Sequence, residues 1–244
     1  MDFALSEDQL ELKQAARAWL ADRFPLDRDW DEQDDRWSEL EELGWLDVAE
    51  AGLGFVEEAL LLEEMGYVCY PGFYLGHVAS LAREDDSATV DPTRRPSRVE
   101  EETPRFRAAC AAEALGVAQR ALDLGAEHAK TRTQFGKPIG TYQAVSHPLA
   151  QTYTDVELAR SLVYWGAWCV AENDERAPVA AAGAKAFATE AAVAACERSV
   201  QVHGGIGFTW EHPLHRFYKR AIWLEGFGRR PAELRLEVAE ALLA

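Results

Sequence analysis

The sequence predicts an all-α protein, and three observations carry the prediction. Long alanine-rich stretches hold apolar residues at helical spacing. No stretch alternates β-branched and polar residues as a half-buried strand would. The polar, glycine-bearing segments fall at the seams between the alanine-rich stretches.

The elements follow in order. Ser6 stands where it can cap a first helix over SEDQLELKQAARAWLADRF, with acidic residues in the first turn and Leu10, Leu12, Ala16, Trp19 and Leu20 behind it. WSELEELGWL forms a second helix stopped at Gly44. GFVEEALLLEEMGYVCYPG forms a third, ending near Gly66 and broken by Pro71-Gly72. Residues 83–104, REDDSATVDPTRRPSRVEEETP, are charged, proline-bearing and without apolar period, so they read as a linker. It separates an N-terminal helical domain, residues 1–82, from a C-terminal one, residues 105–244.

In the second part, helices are predicted from 105 to about 130, from 141 to 173, from 177 to 203, and over RPAELRLEVAEALLA at the end. Pro148 fits only in or near a first turn, and Pro231 starts the last helix. Short loops between apolar stripes make these four an antiparallel bundle.

The 244 residues carry a formal charge of −17, which argues against a nucleic-acid binder. The charge is uneven. Met1 to Gly66 holds 20 acidic against 5 basic residues, whereas Lys130 to Arg220 holds 8 against 10. An anion is therefore repelled least by the second stretch, and the acidic half is a solvated face or suits a basic partner. No run of about 18 apolar residues exists, and Met1-Asp2-Phe3 opens on an acidic helix, so a cytoplasmic location is expected. Cys69, Cys110, Cys169 and Cys196 lack CxxC spacing and read as buried thiols.

Two seams stand out. In RTQFGKPIGTYQAVSHPLA, residues 132–150, Arg132 can fork two N–H bonds onto phosphate oxygens, Phe135 offers a flat apolar face, and Gln143 can donate and accept at once. In QVHGGIGF, residues 201–208, Gly204-Gly205 lets the backbone approach a ligand closely. His147 reads as a helix-packing histidine, Trp165, Trp168 and Trp223 as core or interface filler, and His203, His212 and His215 fit no standard metal-ligand set.

These two motifs, extended to RTQFGKPIGTYQAVSHPLAQTYTDVELAR and QVHGGIGFTWEHPLHRFYKRA, resemble the C-terminal helical domain of the acyl-CoA dehydrogenase family, and MDFALSEDQLELKQAARAWLADRF resembles its N-terminal opening. The resemblance implies FAD binding by Arg132, Gln134, Phe135, Gln143, Gln201, Gly204 and Gly205, largely at the adenosine diphosphate end of a flavin held by a neighbouring subunit. It implies no metal. Family members place a β-domain between the helical parts, and a linker of 83–104 cannot supply one.

The family's catalytic carboxylate is also not matched. Glu225-Gly226 comes a few residues early after Lys219-Arg220-Ala221, so Glu225 is only a weak candidate for a base that takes the α-proton of the thioester. The resemblance thus implies a truncated subunit of a hetero-oligomeric acyl-CoA dehydrogenase, expected as a heterotetramer with a full-length partner. The partner would bind most of the acyl-CoA, a bulky one such as a steroid side-chain thioester. The alternatives are a flavin-free helical scaffold of the same fold and a self-sufficient dehydrogenase using Glu225.

Overall fold

A computed structural model describes residues 4–30, 34–48, 52–79 and 102–244. Among them the chain forms nine α-helices, two 3-10 turns and one two-stranded ribbon.

Ser6 caps α1 (Glu7–Arg23) as expected. Its Oγ accepts from the Gln9 amide at 3.2 Å, and the Gln9 side chain accepts from the Ser6 amide at 3.0 Å, so two orphan donors are satisfied reciprocally. Then come α2 (Trp37–Glu42), which stops at Gly44 with φ +71°, α3 (Phe55–Val68) and the short α4 (Tyr74–Val78). The sequence reading ended the third helix near Gly66. The helix continues because Gly66 is a crossing point rather than a stop.

Most of the predicted linker lies outside the described residues, but its last three are described. Thr103 caps α5 (Pro104–Thr131), accepting from the Phe106 amide at 3.1 Å, and Pro104 takes the first helical position. α6 (Gln143–Ala171), α7 (Ala177–His203), α8 (Leu214–Gly226) and α9 (Pro231–Leu243) complete the chain. Pro148 sits inside α6, in its second turn. The carbonyl that loses its helical donor belongs to Ala144, which is exposed, so water can take it.

The helix α8 was not anticipated. It packs on α5 and α7 and joins α5, α6 and α7 as the fourth bundle helix, while α9 lies against α7. Leu214, Phe217, Ala221 and Leu224 are its buried apolar positions. The apolar core runs unbroken from Ala16, Leu20, Leu40 and Met65 to Leu115, Leu122, Val163 and Leu224. At the centre, α7 is long and apolar enough to cross a membrane by composition, but most of that stretch is buried inside the bundle.

Charges bridge the helices. Glu63 on α3 takes bonds from Lys13 Nζ (2.6 Å), from the Tyr164 hydroxyl (2.8 Å) and from Arg160. Burial alone would raise its pKa, but Lys13 and Arg160 outweigh burial and hold the carboxyl below its ordinary value. Glu113 on α5 and Arg220 on α8 form a bidentate pair, both deeply buried, at 2.6 and 2.9 Å. Near the start of α5, Arg105 Nε donates to the Val78 carbonyl at 2.7 Å. Glu102 accepts from the Arg229 amide and from Arg107 Nε at 3.3 Å.

Candidate functional site

The first seam is more ordered than a loop. Thr133–Gln134 (β1) pairs antiparallel with Lys137–Pro138 (β2) around a two-residue turn. Phe135 and Gly136 occupy that turn with φ +52° and +80°, the pair of positive angles a type I′ turn demands. A phenylalanine pays for that conformation sterically, and its ring is 91% exposed. The ribbon is tied down by the Ile139 amide donating to the Arg132 carbonyl (2.8 Å) and by the Tyr142 hydroxyl donating to the Gln134 carbonyl (3.2 Å).

Arg132 itself is the C-cap of α5 and is exposed. Its backbone is fixed, while its guanidinium has no hydrogen-bond or ion-pair partner among the described residues. Gln143 opens α6, exposed and with its side-chain amide unpartnered among the described residues. Lys137 Nζ lies 4.4 Å from the centre of the Tyr142 ring. Beneath the ribbon is a cleft of about 390 Å³, walled by Ala126, Ala129 and Leu149 and edged by Lys130, Thr141 and Ser146.

The second seam ends α7. Gln201 is exposed in the last turn, and Gly204 follows His203 with φ +64° and ψ −137°, a combination closed to residues with a Cβ. Gly205 is exposed with open space where a Cβ would stand. A 3-10 turn over Gly204–Phe208 then leaves Phe208 and Trp210 pointing outward, 74% and 77% exposed.

Three imidazoles join the seams. His128, one turn before Arg132, stacks on His203 at 4.4 Å and 28°, and His203 meets His212 at 4.5 Å. The carboxyl ends of α5 and α7 therefore meet, and the Arg132 and Gly204 motifs share one end of the bundle. Burial lowers the pKa of all three rings, His212 to about 4. At neutral pH they carry no charge, and Lys130, Arg132 and Lys137 are cations of the first seam.

Glu225 is elsewhere. It is half-buried near the far end of α8, 11 residues or roughly 16 Å along the axis from Leu214. Burial and the facing Glu190 and Glu197 push its pKa up. The structure thus gathers the seven seam residues and leaves Glu225 apart.

Other expectations sort as follows. His147 is exposed on α6 and does not pack between helices. Trp165, Trp168 and Trp223 are half-buried against the core. Cys110, Cys169 and Cys196 are buried free thiols and Cys69 is partly buried. Among the described residues no group of His, Cys, Asp or Glu is arranged to hold a metal. Sequence reasoning missed His128, Lys137 and Tyr142 as parts of this end. Tyr142 adjoins Gln143 and could have been noticed, but the His128 stack depends on a tertiary contact.

This geometry offers a forked cation, flat rings, free amides and a close-approach backbone at one end of a helical bundle. The sequence matches a known family. The N-terminal domain of acyl-CoA dehydrogenases matches residues 6–84, and their C-terminal domain matches residues 98–228, more than half of the chain. The chain belongs to the acyl-CoA dehydrogenase family. Only residues 85–97 stand between its two matched domains.

Acyl-CoA dehydrogenase IpdE2 of Mycobacterium tuberculosis is 41% identical over 145 residues, covering 55% of this chain and 44% of that protein. Probable acyl-CoA dehydrogenase YngJ of Bacillus subtilis is 40% identical over 140 residues, covering 56% and 36%. The chain spans less than half the length of these curated relatives. In fold it is similar to a chain of the ChsE4-ChsE5 complex from Mycobacterium tuberculosis (TM-score 0.79, 21% identity, 100% of this chain and 99% of that one). It is likewise similar to a chain of the Tcur3481-Tcur3483 steroid ACAD (TM-score 0.77, 23% identity, 98% and 99%). Flavin use is a property of this family, and one neighbour of like fold, PigA, is an FAD complex (TM-score 0.71, 16% identity, 99% and 99%).

Proposed function

We propose that the chain is a subunit of a hetero-oligomeric, FAD-dependent acyl-CoA dehydrogenase, completing the flavin site of a full-length partner without supplying a catalytic base. The observation that carries this reading is a separation. The residues suited to a dinucleotide cluster at one end of the bundle, while the one candidate base, Glu225, lies near the other end of α8 among carboxylates. FAD, when bound, supplies the acceptor for the hydride that leaves the thioester's β-carbon.

The seam residues fit such a group because their polar ends have no partner among the described residues. Arg132 would grip the diphosphate with its free fork, Phe135 would cover a flat ring, and Gln134, Gln143 and Gln201 would meet ring and ribose edges with their amides. Gly204 and Gly205 would let the backbone pass close to the ligand. The N-terminal helices, 1–82, and the bundle, 105–244, would serve as one body joined through 83–104. Two fold neighbours are complexes by name and one of them is a steroid ACAD, which supports a heterotetramer acting on a bulky acyl-CoA such as a steroid side chain. We place this complex in the cytoplasm.

The test is Arg132→Ala in the assembled complex. Losing one charge-assisted contact costs about 1.5–3 kcal/mol, roughly a tenfold to hundredfold weaker hold on FAD. Assembly should persist while FAD is lost on gel filtration, and Lys130→Ala should retain it. Full FAD retention by Arg132→Ala would instead favour the flavin-free scaffold.

A further inference from the structure

The imidazoles of His128, His203 and His212 meet beside a turn that buries little of itself. The turn, Gly204–Phe208, leaves Ile206 and Phe208 exposed and buries only Gly207. Gly207 lies so close to the last turn of α7 that a Cβ there would stand 2.9 Å from the Val200 carbonyl and 3.0 Å from the His203 Cβ. The segment thus docks on the carboxyl end of α7 at Gly207, against Val200 and His203, and also touches α8. His203 is fixed by its Nδ1, 2.8 Å from the Ser199 carbonyl. It meets His128 from α5, stacked at 28°, and His212, just past the turn, tilted at 51°.

We propose that this histidine cluster is an acid-sensitive lock. With its three rings neutral it pins the Gly204–Phe208 turn to the ends of α5 and α7, and their protonation releases the turn while the bundle stays folded.

The physical grounds are contact distance and surroundings. Two imidazolium rings at 4.4 Å repel, and among the described residues no carboxylate acts appreciably on the three rings. The charged and titratable groups acting on them are Arg132 on His128, the three rings on one another, and His215 on His212. His215 in turn faces Lys219 and Arg216 of α8. Burial lowers all four histidines. Their charging is therefore postponed below the ordinary histidine range and is unfavourable once it occurs. A segment with few buried contacts opens before the helices that carry it. This inference rests on the stack itself and not on the flavin reading.

Two measurements on the full chain test it. Histidine ring resonances, followed by NMR from pH 7.5 to 3.5, should give midpoints below 6.5 for His128, His203 and His212. Over the same range, amide protection of 204–208, corrected for intrinsic exchange, should fall at least about tenfold while that of the α5 and α7 interiors holds. His128→Phe with His212→Phe keeps flat rings beside His203 and removes two of the three charges, so the acid loss of protection should largely vanish. Protection that is independent of pH in the wild type overturns the lock, as does an equal loss in the double variant. Should that variant misfold, the wild-type titration still decides, since rings titrating at 6.5 or above sink the proposal.

Discussion

Gly66 on α3 and Gly116 on α5 form a reciprocal crossing in which neither position has room for a side chain. A Cβ on Gly66 would stand 2.1 Å from the Glu113 carbonyl oxygen, and one on Gly116 would stand 1.8 Å from the Glu63 carbonyl oxygen. Both obstacles are backbone, so no rotamer change relieves them. Gly116→Ala should push α3 off α5 and cost about 3 kcal/mol or more, the upper range for overpacking. Urea unfolding measures it, and a loss below about 1 kcal/mol would show that the helices slide apart freely.

Glu113 and Arg220 sit at the same junction. Glu113→Gln leaves a guanidinium buried beside a neutral amide, and Arg220 Nη1 already has no partner among the described residues. Breaking one side of a buried pair costs about 3–5 kcal/mol, whereas replacing both partners with apolar residues is near neutral. Chemical denaturation should therefore find Glu113→Gln much less stable than Glu113→Leu combined with Arg220→Met. Equal stability of the two would mean that solvent reaches the pair.

Catalysis gives a contrasting test. Glu225→Gln should leave the chemical step of the assembled dehydrogenase within about twofold of wild type, since Glu225 stands out of register with the family's base and faces Glu190 and Glu197. A fall of several orders of magnitude with FAD still bound would make Glu225 the base and this chain catalytic.

An acid limb in stability is expected at the turn between α6 and α7. Asp174 accepts from Arg176 Nη2 at 2.7 Å and from Arg176 Nε and N at 2.8 Å each, and these bonds lower its pKa to about 2. The folded value is depressed, so the contribution is fully present above the ordinary 3.8 and is lost as pH falls through about 2. It is small, because both partners touch solvent. Thermal midpoints of wild type and Asp174→Asn should converge across that interval. Curves that stay parallel would remove Asp174 from the account.

Much of the fold was legible in the sequence because its signals are local. Ser6 and Gly44 are a cap and a stop that act within one turn. The seam residues were legible for a similar reason, being polar groups gathered where helices break. What escaped was set by tertiary contact. Gly66 reads as a stop until α5 is laid across it. The helix α8 hides behind the His, Trp and Pro of its approach, although Leu214, Phe217, Ala221 and Leu224 already carry helical spacing. His147 is a polar residue on a helix, and nothing in its neighbours tells which way that helix turns.

The bond from Arg105 to the Val78 carbonyl has a consequence for the history of such chains. It holds the residues on either side of 80–101 next to each other, while Glu102 fastens the far edge to Arg229. Exit and entry are thus adjacent, the circumstance in which an independently folded module can be inserted or excised. Each doubling of the bridge's length adds only about 0.6 kcal/mol of closure entropy. Gain or loss of a module at this point reroutes no helix, so a lineage can change what it carries there while every intermediate remains folded.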